Sequence, residues 1–191
     1  MLISYSKKLV FFHVPKTGGI SIRKILKPYQ DVGPENYQHL IKGRQPDSMH
    51  INQKIANTLY DLDGLIEFTL VREPLERLIS LYNYGLNASL FGSFDTYMKV
   101  VEKHYVQPSR YRQIYNSQLY WITDNTVILK LEDIINDCKS EFEKINISVT
   151  EFDKENVNKN VKYIPTVEES KYCLNFLNEE YTRLNYEIPT L

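Results

Sequence analysis

The sequence predicts an α/β fold: a short, mainly parallel sheet with helices on both faces, three layers in all, with helix outweighing strand. Three observations carry that prediction. "KLVFFH" (8–13) and "LIEFTLV" (65–71) are short, nearly unbroken apolar runs, the pattern of strands buried on both faces. Each is followed by a stretch whose apolar residues recur at helical spacing. A third run, "TVILKL" (126–131), is followed by a third such stretch.

After the first strand, Ile20, Ile22, Ile25 and Leu26 are apolar while Arg23, Lys24 and Lys27 are charged, so 19–27 reads as a helix. Residues 29–49 carry Gly and Pro and read as irregular; 51–60 read as a short helix. Beyond the second strand, Pro74 suits a first helical position, and Leu75, Leu78, Ile79 and Tyr82 line one face of the helix it opens. Further helices are expected at 93–103 and 111–122, after the third strand at 132–145, and at 167–184. No internal repeat, low-complexity tract or linker interrupts the chain. Residues 1–191 therefore read as one domain, long enough to bury a sizeable core.

Composition narrows the function. The apolar share of 42% and charged share of 25% are those of a soluble globular protein. A net charge of −1 gives no global attraction to nucleic acid or anionic membrane, so any basic site must be local. No apolar run approaches the roughly 20 residues of a membrane span, and the first strand begins almost at once, which leaves no signal or transit peptide. A cytoplasmic protein without stable membrane insertion is expected. Cys138 and Cys173 form no metal pattern and are expected to be reduced core thiols. The sequons at Asn87 and Asn146 are read as coincidence in an Asn-rich chain. The 15 tyrosines suit a core rim or a sugar- or base-binding surface.

In parallel α/β sheets ligands bind beyond the carboxyl ends of the strands. There the first strand runs into "VPKTGGISI". Gly18 and Gly19 allow close backbone approach, and the helix start offers unpaired N–H groups and a partial positive charge. Lys16 adds a full charge, and Thr17 and Ser21 add hydroxyls. Together they suit a phosphate-like anion. The second strand ends in Arg72, with Ser80 about two turns into the next helix. If the two strands are neighbours, Arg72 lies beside the 16–21 loop, and a guanidinium matches phosphate bidentately. The alternative is that Arg72 pairs with Glu73 or Glu76 and Ser80 bonds within its own helix. Arg77 is read as a structural ion pair. A Walker-type loop would place its lysine after the last glycine, and a phosphoryl-transfer site would carry an Asp at the strand end to help hold Mg²⁺. Neither is present, so anion binding by protein cations without a metal is expected.

These stretches resemble a known family. "FFHVPKTGGISI" is similar to the 5′-phosphosulfate loop of sulfotransferases that use 3′-phosphoadenosine 5′-phosphosulfate (PAPS), and "FTLVREPLERLISLY" to their 3′-phosphate-binding strand and helix. "VILKLEDI" and "FLNEEYTRLNYEIP" resemble later parts of the same P-loop-like fold. The nearest branch is the carbohydrate O-sulfotransferases, the group that includes heparan sulfate 2-O-sulfotransferase and bacterial relatives. The resemblance implies that Lys16, Thr17, Gly18, Gly19, Ile20 and Ser21 hold the 5′-phosphosulfate and that Arg72 and Ser80 hold the 3′-phosphate. It implies sulfuryl transfer to a hydroxyl acceptor, a carbohydrate in that branch, leaving 3′-phosphoadenosine 5′-phosphate. It also implies a base upstream of the second strand, where His50 stands, with His39 in reserve. His13, inside the first strand, is expected to be structural, and His104 is poorly placed. Relatives lay a polar loop over the nucleotide, which would bring in Asn158 and Lys159. Arg110, Arg112, Gln118 and Trp121 are candidates for lining the acceptor site. Two other classes stay open: a P-loop nucleotide kinase with an unusual loop, and a non-catalytic nucleotide-binding protein on the same scaffold.

Overall fold

The computed structural model describes residues 1–37, 48–84, 87–109, 112–149, 152 and 163–191. In chain order the elements are β1 (Leu2–Ser4), β2 (Leu9–Phe12), α1 (Gly19–Leu26), α2 (Pro34–Tyr37), α3 (Gln53–Ala56), β3 (Ile66–Val71), α4 (Pro74–Tyr82), α5 (Asn87–Phe91), α6 (Phe94–Val106), β4 (Val127–Lys130), α7 (Ile134–Glu143) and α8 (Val167–Arg183). The sheet runs β1-β2-β3-β4. β2, β3 and β4 are parallel, with Phe12 opposite Thr69 and Val71 opposite Lys130. The three expected strands are therefore present as neighbours.

β1 is an addition to the expected elements. It pairs antiparallel with β2, Leu2 facing Phe11, through a tight turn in which Lys8 N–H donates to Tyr5 O at 3.2 Å. Three residues are too few to show a period.

Strand alternation sorts the core. Leu9, Phe11, Phe68, Leu70 and Leu129 face one side, where Ile22 and Leu26 of α1 and Ile134, Cys138 and Phe142 of α7 cover them. Val10 and Phe12 face the other, against Val32, Tyr37, Ile51, Ala56 and Trp121. A further apolar cluster is helical. Leu75, Leu78, Ile79 and Tyr82 of α4 form the expected stripe and meet Tyr97 and Val101 of α6 and Cys173, Leu177 and Tyr181 of α8. α8 starts with a capping box, Thr166 with Glu169. Cys138 and Cys173 are buried free thiols, each pushed up to about 12 by burial.

The expected helix at 111–122 is two short 3₁₀ turns, Gln113–Tyr115 and Gln118–Trp121. The break is chemical. Asn116 turns its side chain onto the Ser109 backbone, accepting from N–H at 2.9 Å and donating to C=O at 3.0 Å, and Ser117 caps the second turn. Such side chains compete with the helix for backbone partners. The expected helix at 51–60 shrinks to α3, capped by Asn52, followed by turns. Among the described residues no helix is long and apolar enough to cross a membrane.

Candidate functional site

The parallel strands end at one edge of the sheet, and the segments after β2, β3 and β4 meet there. After β2 the backbone turns left-handed at Lys16 (φ 68°) and Gly18 (φ 82°). Left-handed turns of this kind gather N–H groups into anion-binding hollows. For a lysine the conformation costs about 1–2 kcal/mol, and the loop around it is built to hold it. Thr17 donates its hydroxyl to Val14 O at 2.9 Å and is fully buried. This corrects the expectation of a ligand-facing hydroxyl: the proton is used inside the loop. Gly18 caps α1 with no side-chain bond, and the first turn carries no acid, so the helix start keeps its positive end. Ile20 is exposed there, while Ser21 is buried and its N–H reaches Gly18 O at 3.1 Å.

The glycines have a second reason to be small. A Cβ on Gly18 would come within 2.9 Å of Leu131 Cδ1, beyond β4. One on Gly19 would come within 2.2 Å of His13 Cδ2 and 2.5 Å of its Nε2. At both positions protein occupies the space, in addition to the close ligand approach expected from the sequence.

Arg72 leaves the end of β3 with its backbone clamped on both sides. Its N–H donates to Gln118 Oε1 at 2.9 Å, and its carbonyl accepts from Gln118 Nε2 at 2.8 Å. Gln118 is fully buried and further held by Glu180, which also accepts from Ser117 at 2.7 Å. Glu73 N–H donates to Glu132 Oε1 at 2.9 Å, and the Glu73 carboxylate accepts from Tyr181. The acidic residue after β4 thus secures the neighbouring strand end. The guanidinium meets Glu76 Oε2 at 3.0 Å, the pairing the alternative reading named, with 22% of the side chain exposed. Ser80 stands further along α4, half-buried.

Lys16 and Arg72 occupy one electrostatic neighbourhood. Burial lowers the Lys16 ammonium from its ordinary range, and the nearby Arg72 guanidinium lowers it further. Lys16 Nζ sits 3.9 Å from the ring centroid of Tyr84 just beyond α4, a cation–π contact the motifs did not indicate. Two cations held against mutual repulsion favour an anion between them.

Arg77 departs from its expected ion pair. Its side chain is fully buried and donates to three backbone carbonyls: Pro15 at 3.0 Å, Asn116 at 3.1 Å and Ile114 at 3.3 Å. It ties the loop after β2 to the 3₁₀ turns.

His50 ends a 3₁₀ turn and is 7% exposed. Its Nδ1 lies 2.7 Å from His13 O. A carbonyl only accepts, so Nδ1 carries a proton. His50 O in turn accepts from Trp121 Nε1 at 2.7 Å. The His13 ring packs beside His50, centroids 4.4 Å apart, and stands against Gly19. Trp121, 1% exposed, and Gln118 are thus scaffold and offer no open face to an acceptor, which corrects that expectation. Arg112 is exposed. Asn158, Lys159, Arg110 and His39 lie outside the described residues. An open depression of about 760 Å³ at the opposite end of β3 is lined by Asp61, Asp63 and Glu67, carboxylates that repel an anionic donor.

The sequence model described as "Sulfotransferase family" matches residues 1–173. No curated protein and no solved structure matches significantly.

Proposed function

The chain belongs to the sulfotransferase family, and from that premise we propose that it is a PAPS-dependent O-sulfotransferase acting on a hydroxyl acceptor, a saccharide as in the carbohydrate branch. The observation that carries this reading is the pairing of Lys16 and Arg72 at adjoining parallel strand ends, close enough that the guanidinium resists the charging of the lysine. A donor with one anionic group at the loop and a second one a nucleoside away suits such a pair.

The donor set fits PAPS. Lys16, the N–H groups of residues 16–21 and the uncapped start of α1 would take the 5′-phosphosulfate; Arg72 and Ser80 would take the 3′-phosphate, with Asn158 and Lys159 as further candidates. Bound there, PAPS supplies the sulfuryl group, and 3′-phosphoadenosine 5′-phosphate (PAP) is left. Lys16 would stabilise the charge that grows on the leaving phosphate as the bond breaks, where a preorganised donor lowers the barrier most. His50 takes the proton of the acceptor hydroxyl on Nε2. A positioned base contributes about 10²–10⁴-fold, and the bond from Nδ1 to His13 O keeps the ring in the required tautomer. The reading includes one domain over residues 1–191, no metal requirement and a cytoplasmic setting, with which the buried free thiols accord.

The test is transfer from labelled PAPS to a panel of hydroxylated acceptors, saccharides first, in wild type and His50→Ala. Transfer by wild type and its loss in the variant are expected. Equal transfer by both removes His50 from the reaction. PAPS binding without transfer to any acceptor favours the non-catalytic scaffold, and metal-dependent ATP turnover favours a kinase.

A further inference from the structure

We infer that His13 is a positioning residue that sets the distance between the anion loop and the base, and that Gly19 is a glycine in order to receive its ring. The inference rests on the reading of His50 as base. His13 holds both sides of the site at once. Its carbonyl accepts from His50 Nδ1 at 2.7 Å, and its ring packs, tilted, with its centroid 4.4 Å from that of the His50 ring. Another edge of the ring lies against the first residue of α1, where a methyl group would meet Cδ2 at 2.2 Å and Nε2 at 2.5 Å. The ring cannot swing aside. It is 4% exposed, and Phe11 backs it with stacked centroids at 6.1 Å. Gly19 does not carry a positive φ, so what forbids a side chain there is space and not backbone conformation.

Among the described residues His13 Nδ1 is buried with no hydrogen-bond partner. Such an orphaned group is costly, and an apolar residue would avoid the cost. A six-membered ring, however, would push further into a gap already closed, and a smaller side chain would let His50 drift relative to the loop. The imidazole is thus kept for its size between two working parts. Burial holds its pKa well below the ordinary imidazole value, so it adds no charge beside the base.

A compensation experiment tests this, with PAP affinity by calorimetry as one readout and sulfuryl transfer as the other. Gly19→Ala alone should weaken PAP at least tenfold. His13→Ala alone should leave PAP within about threefold of wild type while kcat falls at least tenfold and the pH profile of kcat shifts. The double variant should recover PAP affinity to within about threefold, because the new methyl fills the space the ring vacated, and should keep the low kcat. If the double variant binds PAP as poorly as Gly19→Ala, position 19 is small for the ligand and the inference fails. It fails equally if His13→Ala retains wild-type kcat and pH profile. Where His13→Ala does not fold, His13→Val in the same pair provides the same relief. If wild type binds no PAP, the proposed function fails instead; relief of the Gly19→Ala clash is then read from the melting temperature, where a double variant no more stable than Gly19→Ala overturns the packing claim.

Discussion

Replacing Arg77 by Met keeps the approximate length and apolar stem of the side chain and removes every donor. Three carbonyls, those of Pro15 and Asn116 in buried bonds and that of Ile114 in a part-buried one, then lose their partner. At about 1 kcal/mol each, the low end for an orphaned buried polar group, the loss is about 3 kcal/mol. Relief of guanidinium desolvation works against this figure, and dissolution of the network works with it. For a chain of this size the melting temperature should fall by about 6–12 °C. The damage should also be local. Pro15 leads into Lys16, so release of its carbonyl loosens the loop, and PAP affinity should fall with stability. Thermal melts and calorimetry on the same preparation measure both. A melting temperature within about 2 °C of wild type, well short of the fall expected for a domain of this size, would refute the view that this guanidinium holds the loop.

Other outcomes rest on the same contacts. Gln118→Leu strips the Arg72 backbone of both its side-chain partners; urea titration should show a loss of about 2 kcal/mol, with PAP affinity down severalfold. Trp121→Phe removes the bond to His50 O and should lower transfer while PAP affinity holds, a split that calorimetry and kinetics together detect. His13 gives a pH dependence whose sign is fixed. Its pKa in the fold lies well below the ordinary 6.5, so below that pH the unfolded chain takes up a proton that the folded chain does not. Stability should therefore fall with pH by about 1.4 kcal/mol per unit until the folded ring titrates. Urea midpoints between about pH 6 and 5, just below the unfolded imidazole's range, should fall more steeply in wild type than in His13→Leu; parallel lines would mean that the folded ring already accepts the proton.

Local pattern made part of the fold legible in the sequence. "KLVFFH" meets an apolar cluster on each face, so its hydrophobicity is continuous and marks it, while "LIEFTLV" and "TVILKL" are marked by Phe68, Leu70, Val127 and Leu129, which pack into one of those clusters. Placement of Lys16 beside Arg72 came from one topological rule, adjacency of parallel strands, and the structure brings the two together. The hidden part was non-local. Gln118 grips Arg72 across 46 positions, and Arg77 reaches Pro15 across 62; neither contact leaves a period or a motif. Arg77 looked like a helix-face ion pair because a run of residues cannot show that the face is buried against carbonyls. Residues 111–122 carry apolar spacing compatible with a helix, yet Asn116 and Ser117 divert the backbone. Thr17 shows the same limit: a hydroxyl in a ligand loop can turn inward, as it does onto Val14 O.

If the proposed chemistry is right, Lys16 and Arg72 grip different phosphates of one adenosine nucleotide. Calorimetry without metal, comparing PAP with adenosine 5′-monophosphate in wild type, Lys16→Ala and Arg72→Ala, tests this most directly. Wild type should prefer PAP; Arg72→Ala should abolish that preference while still binding the monophosphate; Lys16→Ala should weaken both ligands. An undiminished preference for PAP in Arg72→Ala, or tighter binding of ATP with Mg²⁺ than of PAP by wild type, would contradict it.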